Sequence, residues 1–220
     1  MQIKTYIAGP FDANNYLVID EKSKEAMLVD CSAYVQDIVD YVKTNSLKVK
    51  YILITHGHFD HVLGINKMRK ALGAEVYVPQ EDIILIENIN EASSHFGGEL
   101  AEIPVHDHVY SPDTKITLGD EEFIIIKTPG HTEGGVCIKG HDVLFSGDTL
   151  FKGTFGRTDL FGGNIKKLVN SLTNVLFYLP DEMVVYPGHN EKTTIGYEKK
   201  FNDIFNYINS SSPRVIFVSG

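Results

Sequence analysis

Residues 55–61 read THGHFDH and directly follow the apolar run YILI at 51–54, so three of the chain's nine histidines fall inside seven residues with an aspartate among them. Crowded imidazoles compete for protons and for solvation, and a bound cation supplies the compensation they lack. Neutral imidazole and carboxylate are the usual ligands of zinc and similar divalent ions. In an extended segment His56, His58 and Asp60 point to one side; a tight loop fans them around a point, and His61 adds a further donor. Three later stretches share one grammar, in which a strand ends and a glycine precedes a single donor: IIIKTPGH ending at His131, VLFSGD at Asp148 and VVYPGH at His189. The glycine suits a turn where backbones approach closely. Together these are five histidines and two aspartates, too many for one four-coordinate ion and about right for two.

The surrounding pattern says which elements must carry these donors. Short runs rich in Ile, Val, Leu and Tyr at 2–8, 15–20, 25–30 and 49–54 read as strands, the last one feeding the histidine motif. Ser32 is expected to cap a helix over 33–44 whose Val35, Ile38, Val39 and Val42 share a face. A helix over 62–72 ending at Gly73, a strand at 75–78 and a short helix at 80–87 follow. Residues 88–112, rich in Asn, Ser, Gly and His, read as a long loop, with Phe96, Gly97 and Gly98 as a plain turn or a lid. The second half repeats the theme, with strands near 115–118, 122–128, 134–139, 142–146 and 183–186 and helices at about 164–179 and 195–209. Val215–Val218 is expected to form a terminal strand or an anchored tail. Helices that bury one stripe need a sheet face to cover. Two sheets packed face to face with helices on both outer sides fit this order, within one domain over 1–220. A doubly wound parallel sheet competes; the short hairpin-like strands and the lack of GxGxxG after the first strand count against it.

Composition narrows the function. The 220 residues are 43% hydrophobic and 22% charged, which suits one globular domain rather than two. A formal net charge of −9 disfavours a nucleic-acid partner. Cys31 and Cys137 make no CxxC pair and are expected to be small buried residues. The opening MQIKTYIAG lacks the regions of a signal peptide, and no apolar stretch approaches the length of a membrane span. A reduced, cytoplasmic location without a membrane partner is the expectation.

HxHxDH followed by His131, Asp148 and His189 at strand ends is similar to the signature of the metallo-β-lactamase superfamily, over nearly the whole chain. Within it, Gly147-Asp148-Thr149-Leu150-Phe151, Gly156-Arg157-Thr158-Asp159, Asn14-Asn15-Tyr16 and Thr193-Thr194-Ile195-Gly196-Tyr197-Glu198 resemble the glyoxalase II-like hydrolases. The resemblance implies an α/β fold, a four-layer αββα sandwich with the metals at one edge. It implies that His56, His58 and His131 hold one divalent ion, that Asp60, His61 and His189 hold a second, and that Asp148 bridges both. Zinc is the expected metal, and iron or manganese accepts the same donors. Glyoxalase II proper carries a C-terminal helical domain that helps grip glutathione. Only about thirty residues follow His189 here, so the chain resembles the short, single-domain members of that subgroup.

A pair of divalent ions held by these donors would draw charge from a bound water and lower its pKa towards about 7. Such a pair would supply a nucleophile near neutral pH and an electrophile for a carbonyl. The expected activity is cleavage of a small-molecule thioester of the hydroxyacylglutathione type, whose thiolate leaves readily. Asp60 is expected to orient the nucleophile and to receive its proton. Arg157 is a candidate for gripping a substrate carboxylate, or for an ion pair with Asp159. Asp30 ends a strand and either orients a ligand histidine from behind or caps a turn. His95, His106 and His108 read as surface histidines, and Ile83, Ile84 and Ile86 as core. Three alternatives share these motifs: a persulfide dioxygenase holding one iron through two histidines and one aspartate, a lactonase, and a non-enzymatic metal-binding module.

Overall fold

Tyr16 and Val18 face one side of their strand and Leu17 and Ile19 the other, yet all four are buried. Met27 and Val29 alternate with Ala26 and Leu28 in the same way, as do Val143 and Phe145 with Leu144. Side chains alternate across a strand with period two, so strands buried on both faces require a layer above and a layer below. The computed structural model describes residues 1–95 and 100–211 and supplies those layers. The Phe96–Gly98 segment and the Val215–Val218 tail lie outside the described residues.

The first half runs β1 (Gln2–Ala8), β2 (Ala13–Ile19), β3 (Glu25–Val29), α1 (Gln36–Thr44), β4 (Lys48–Leu53), α2 (Phe59–Val62) and α3 (Ile65–Leu72). It continues with β5 (Glu75–Val78), α4 (Ile83–Glu87), α5 (Ile89–His95) and β6 (His108–Val109). These six strands form one sheet in sequence order, antiparallel at β1–β2–β3 and parallel from β3 to β6. The second half has β7 (Ile116–Leu118), β8 (Glu121–Lys127), β9 (Val136–Lys139), β10 (Val143–Gly147) and the small hairpin β11 (Leu150–Phe151) and β12 (Thr154–Phe155). It ends with α6 (Ile165–Asn174), β13 (Val184–Pro187), β14 (Thr193–Thr194), α7 (Ile195–Phe201) and α8 (Ile204–Ser211). Its sheet has the order β14-β13-β10-β9-β8-β7, with β10 and β13 parallel.

Three apolar layers separate four structural ones. Between the sheets lie Tyr16, Val18, Met27 and Leu53 against Phe123, Ile138 and Phe145. Outside the first sheet, Leu17, Leu28 and Ile52 meet Ile38 and Val42 of α1 and Ile65 and Met68 of α3. Outside the second, Cys137, Leu144 and Val185 meet Leu168 and Leu172 of α6, Ile195 of α7 and Ile204 of α8. This is the expected αββα sandwich, and both cysteines are buried as expected. Among the described residues no helix is long and apolar enough to cross a membrane.

The structure corrects several local expectations. Ser32 does not cap α1, which starts at Gln36 with no side-chain cap. Its hydroxyl donates to the Ala8 carbonyl and its N–H to Asn15 Oδ1, at 2.8 and 2.7 Å, so the hydroxyl is committed to β1–β2. The expected 62–72 helix is broken at Leu63–Gly64, because the Gly64 N–H turns to the Cys31 carbonyl, 2.8 Å away. Residues 88–112 are not one loop. They hold α5, with Ile89 and Ser93 buried, and the edge strand β6. The run of polar residues there hid a narrow apolar stripe. Ile86 belongs to the core, whereas Ile84 is 51% exposed.

Candidate functional site

Each candidate donor leaves the same edge of the sandwich, at the carboxyl end of a strand or in the turn after it. β4 delivers the 55–61 segment, in which Asp60 and His61 lie in the single turn of α2. β8 leads to His131, β10 to Asp148 and β13 to His189. Open α/β sheets place their sites at this end. The glycines before the donors allow the approach. A Cβ on Gly188 would overlap Asp148 Oδ1, and one on Gly147, where φ is +47°, would overlap the Thr55 hydroxyl.

The structure brings all seven expected donors together. His58 Nδ1 lies 2.8 Å from His131 Nε2, and His61 Nε2 lies 3.2 Å from His189 Nε2. Asp148 reaches between them, with Oδ1 3.4 Å from His61 Nε2 and Oδ2 3.5, 3.6 and 4.0 Å from Nε2 of His131, His189 and His56. Asp60 Oδ2 is 3.3 Å from His189 Nε2 and 3.7 Å from His61 Nε2. Among the described residues, three donor sets have ligand atoms within 4.8 Å of one another: His56, His58 and His131; Asp60, His61 and His189; and His56, His61 and Asp148. Two ligands on one tetrahedral ion, at bonds of roughly 2.1 Å, stand about 3.4 Å apart.

The outer ring nitrogens explain which way the lone pairs point. His131 Nδ1 donates to the Arg157 carbonyl at 2.7 Å, and His189 Nδ1 donates to the Phe11 carbonyl at 3.0 Å. A carbonyl only accepts, so Nδ1 carries a proton, and in the neutral ring Nε2 turns an acceptor lone pair inward. Thr55 donates its hydroxyl hydrogen to Asp30 and accepts from His56 Nδ1 at 3.1 Å, with the same result for His56. His61 Nδ1 is 2.9 Å from Asp30 Oδ2. Asp30 therefore orients a histidine rather than merely capping a turn. Without a cation, converging donors of this kind either take up protons, as His61 and His189 do, or stay unsatisfied. His56 Nε2 and Asp148 Oδ1 are moreover buried without a hydrogen-bond partner. Buried polar atoms are normally satisfied, and cations between these donors satisfy them, so the residues fit a pair of divalent ions.

Titration in the metal-free cluster follows the same geometry. Burial first, then the neighbouring His131, pulls His58 down to about 3, and burial with the surrounding imidazoles lowers His56. Burial opposes charge on His61, but Asp148 and Asp30 outweigh it and hold that ring up to about 10. Burial likewise disfavours the Asp60 carboxylate, yet the hydrogen bond from His189 and the adjacent rings bring it down to about 2.

Second-layer contacts reveal a residue that the motif did not announce. Asp82, 1% exposed, accepts from the Gly57 N–H at 2.9 Å, the Thr132 hydroxyl at 2.7 Å and the Gly134 N–H at 2.6 Å. It bolts the His56–His58 turn to the His131 turn, and burial raises its pKa. The resemblance motifs also acquire roles. Asn14 Nδ2 donates to the carbonyls of Pro187 and Asn190, and Tyr16 Oη to that of Pro187, fixing the His189 turn. Glu198, fully buried, accepts from Thr193, Asn202 and the Gly153 N–H, fixing the β11–β12 hairpin.

A cavity of about 820 Å³ opens beside the donors. Arg157 lines it, but its fork is engaged with Asp159, at 2.7 and 2.8 Å. His95 also lines the cavity, whereas His106 and His108 do not; His108 pairs with Glu75 at 3.2 Å. Ile84, expected in the core, lines the cavity instead.

Known proteins resemble this chain in sequence and in fold. A sequence profile described as the Metallo-beta-lactamase superfamily matches residues 8–189. Hydroxyacylglutathione hydrolase GloC of Haemophilus influenzae is 31% identical over 210 residues, spanning 94% of this chain and 99% of its own. The crystal structure of BLEG-1 B3 metallo-beta-lactamase superposes with a TM-score of 0.84 at 31% identity, covering 92% of this chain and 99% of that one. TTHA1623, in a di-iron-bound form, gives 0.80 at 32% identity, covering 91% and 99%. By sequence, fold and the donors at its sheet edge, the chain belongs to the metallo-beta-lactamase superfamily.

Proposed function

We propose that this superfamily hydrolase cleaves a thioester of the hydroxyacylglutathione type, using two divalent ions. The observation that carries the reading is the convergence of seven donors, four of them imidazoles whose outer nitrogen is already tied, beside a cavity of small-molecule size. His56, His58 and His131 would hold one ion, Asp60, His61 and His189 the other, and Asp148 would lie across both. Zinc fits these donors, and the di-iron form of TTHA1623 supports iron as an alternative. When bound, such a pair supplies an activated water at neutral pH and an electrophile for a carbonyl.

The chain's own groups do the rest. Asp60, held ionised, accepts a hydrogen bond from the attacking water and orients it. Asp30, Thr55 and the carbonyls of Arg157 and Phe11 keep the rings in place, so little reorganisation is needed during reaction. A thiolate, whose parent thiol has a pKa of roughly 8.5, departs without a strong proton donor. The name of the GloC relative supports the thioester class. Seven converging donors favour a two-ion centre over the single iron of a persulfide dioxygenase.

Elemental analysis of the purified protein, paired with an assay of S-lactoylglutathione cleavage, tests the reading. Two equivalents of metal with turnover support it. Metal without turnover reopens the substrate, and one equivalent of iron with oxygen uptake on a persulfide overturns it.

A further inference from the structure

We infer that the substrate carries an apolar, uncharged arm that packs into the cavity beside the donors, so that this site prefers aliphatic or aromatic thioesters and esters over those held by carboxylates. The inference rests on the metal-dependent hydrolase reading above and departs from it in the thiol, because glutathione's two carboxylates are what this lining disfavours. Separate elements turn apolar side chains to one concavity: Phe11 from the β1–β2 turn, Phe59 from α2, Ile84 and Leu85 from α4, and Leu160 and Phe161 from the loop after Asp159. Ile84, Phe11 and Phe161 are 51%, 58% and 71% exposed. Single exposed apolar residues are ordinary. Several around one hollow, next to a cluster of polar donors, make the usual ligand site of an apolar wall with a few aimed polar groups. The wall is also tied to the donors. The Phe11 ring packs edge to face on Phe59 with centroids 5.7 Å apart, while the Phe11 carbonyl holds His189.

Charge points the same way. Arg157 is the one Lys or Arg among the described lining residues, and its Nε and Nη2 already pair with Asp159, which neutralises it and weakens its grip on a substrate carboxylate. Glu91 adds a carboxylate to the lining, which repels an anionic arm. The volume of about 820 Å³ lies within the roughly 300–1,000 Å³ of small-molecule sites.

The test uses hydrolysis-inert thioethers, S-methyl-, S-propyl- and S-hexyl-N-acetylcysteamine, titrated calorimetrically into metal-free full-length protein. Each methylene that is fully buried raises affinity about fourfold, so a rise of at least about tenfold from methyl to hexyl is expected. S-hexylglutathione, with the same arm and two added carboxylates, is expected to bind no more tightly than the hexyl cysteamine compound. Ile84→Ser and Phe161→Ser are each expected to flatten the rise; the Phe161 side chain is exposed enough that its loss spares folding. A flat series, or glutathione thioethers that bind tightly whatever the alkyl length, overturns the inference. The matching thioesters, assayed on metal-loaded protein, separate the two claims. Equal kcat/KM for acetyl and hexanoyl thioesters overturns the inference and leaves the hydrolase reading standing. A rising binding series with no ester or thioester cleaved supports the apolar site and overturns the hydrolase.

Discussion

Asp30 Oδ2 stands 2.9 Å from Nδ1 of His61, and the same carboxylate receives the backbone N–H and the hydroxyl of Thr55. Asp30 sits at φ +58°, a left-handed backbone that aspartate tolerates better than most residues. That conformation swings a fully buried carboxylate behind two donors of the cluster at once, His61 directly and His56 through Thr55.

Asp30→Ala should weaken metal binding about 10–100-fold, the usual effect of losing the group behind a ligand histidine. Competition with a chromophoric chelator measures it. Unchanged affinity would mean that packing alone orients His61.

Asp82→Asn should lower stability by roughly 1–3 kcal/mol, because the amide replaces one acceptor oxygen and strands the Gly134 N–H, or the Gly57 N–H with the Thr132 hydroxyl. The His58 and His131 turns should loosen together. Thermal unfolding and chelator competition should therefore both shift, and a variant with native Tm and native metal affinity would remove Asp82 from the site's support.

Metal removal should destabilise the fold itself. Free metal at about 100 times its Kd adds about 2.7 kcal/mol, which for a chain of this size is roughly 5–10 °C in Tm. Scans with zinc and with excess chelator read the difference, and coincident Tm values would contradict binding within the folded edge.

Metal binding should release protons. His61, held up to about 10, carries a proton at pH 7 in the metal-free protein, and His189 is raised above its usual value because its hydrogen bond to Asp60 and the Asp148 charge outweigh burial. A ligand must give up that proton, so affinity rises with pH and falls by about tenfold per unit on acidification for each proton displaced. Calorimetry in buffers of different ionisation enthalpy counts the protons; release of none at pH 7 would show that His61 is neutral before metal arrives.

Much of the architecture and the donor set was legible in the sequence, for physical reasons. Strand runs alternating with one-faced helices asked for sheets covered on their outer sides, the resemblance gave the αββα sandwich, and the Gly-donor turns after β8, β10 and β13 marked where the chain had to converge. What stayed hidden depends on geometry that residue types do not encode. Two rings are set by backbone carbonyls, which every residue has. Asp82 sits in a plain acidic stretch, Gln80–Asp82, and only the fold carries it to Gly57 and Gly134. The stripe of α5 is too short for periodicity to show through its Asn, Glu and Ser residues. Arg157 pairing with Asp159 was one of two readings open from spacing, and the side-chain geometry shows that pair formed.

Phe11 and Arg157 each perform two separable jobs: the main chain steadies an imidazole, and the side chain faces the cavity. Substituting either side chain leaves the steadying oxygen where it was. Substitution at these two positions can thus redraw what the chamber admits while the donor cluster stays put, a modularity that uncouples selectivity from the geometry of the inner rings.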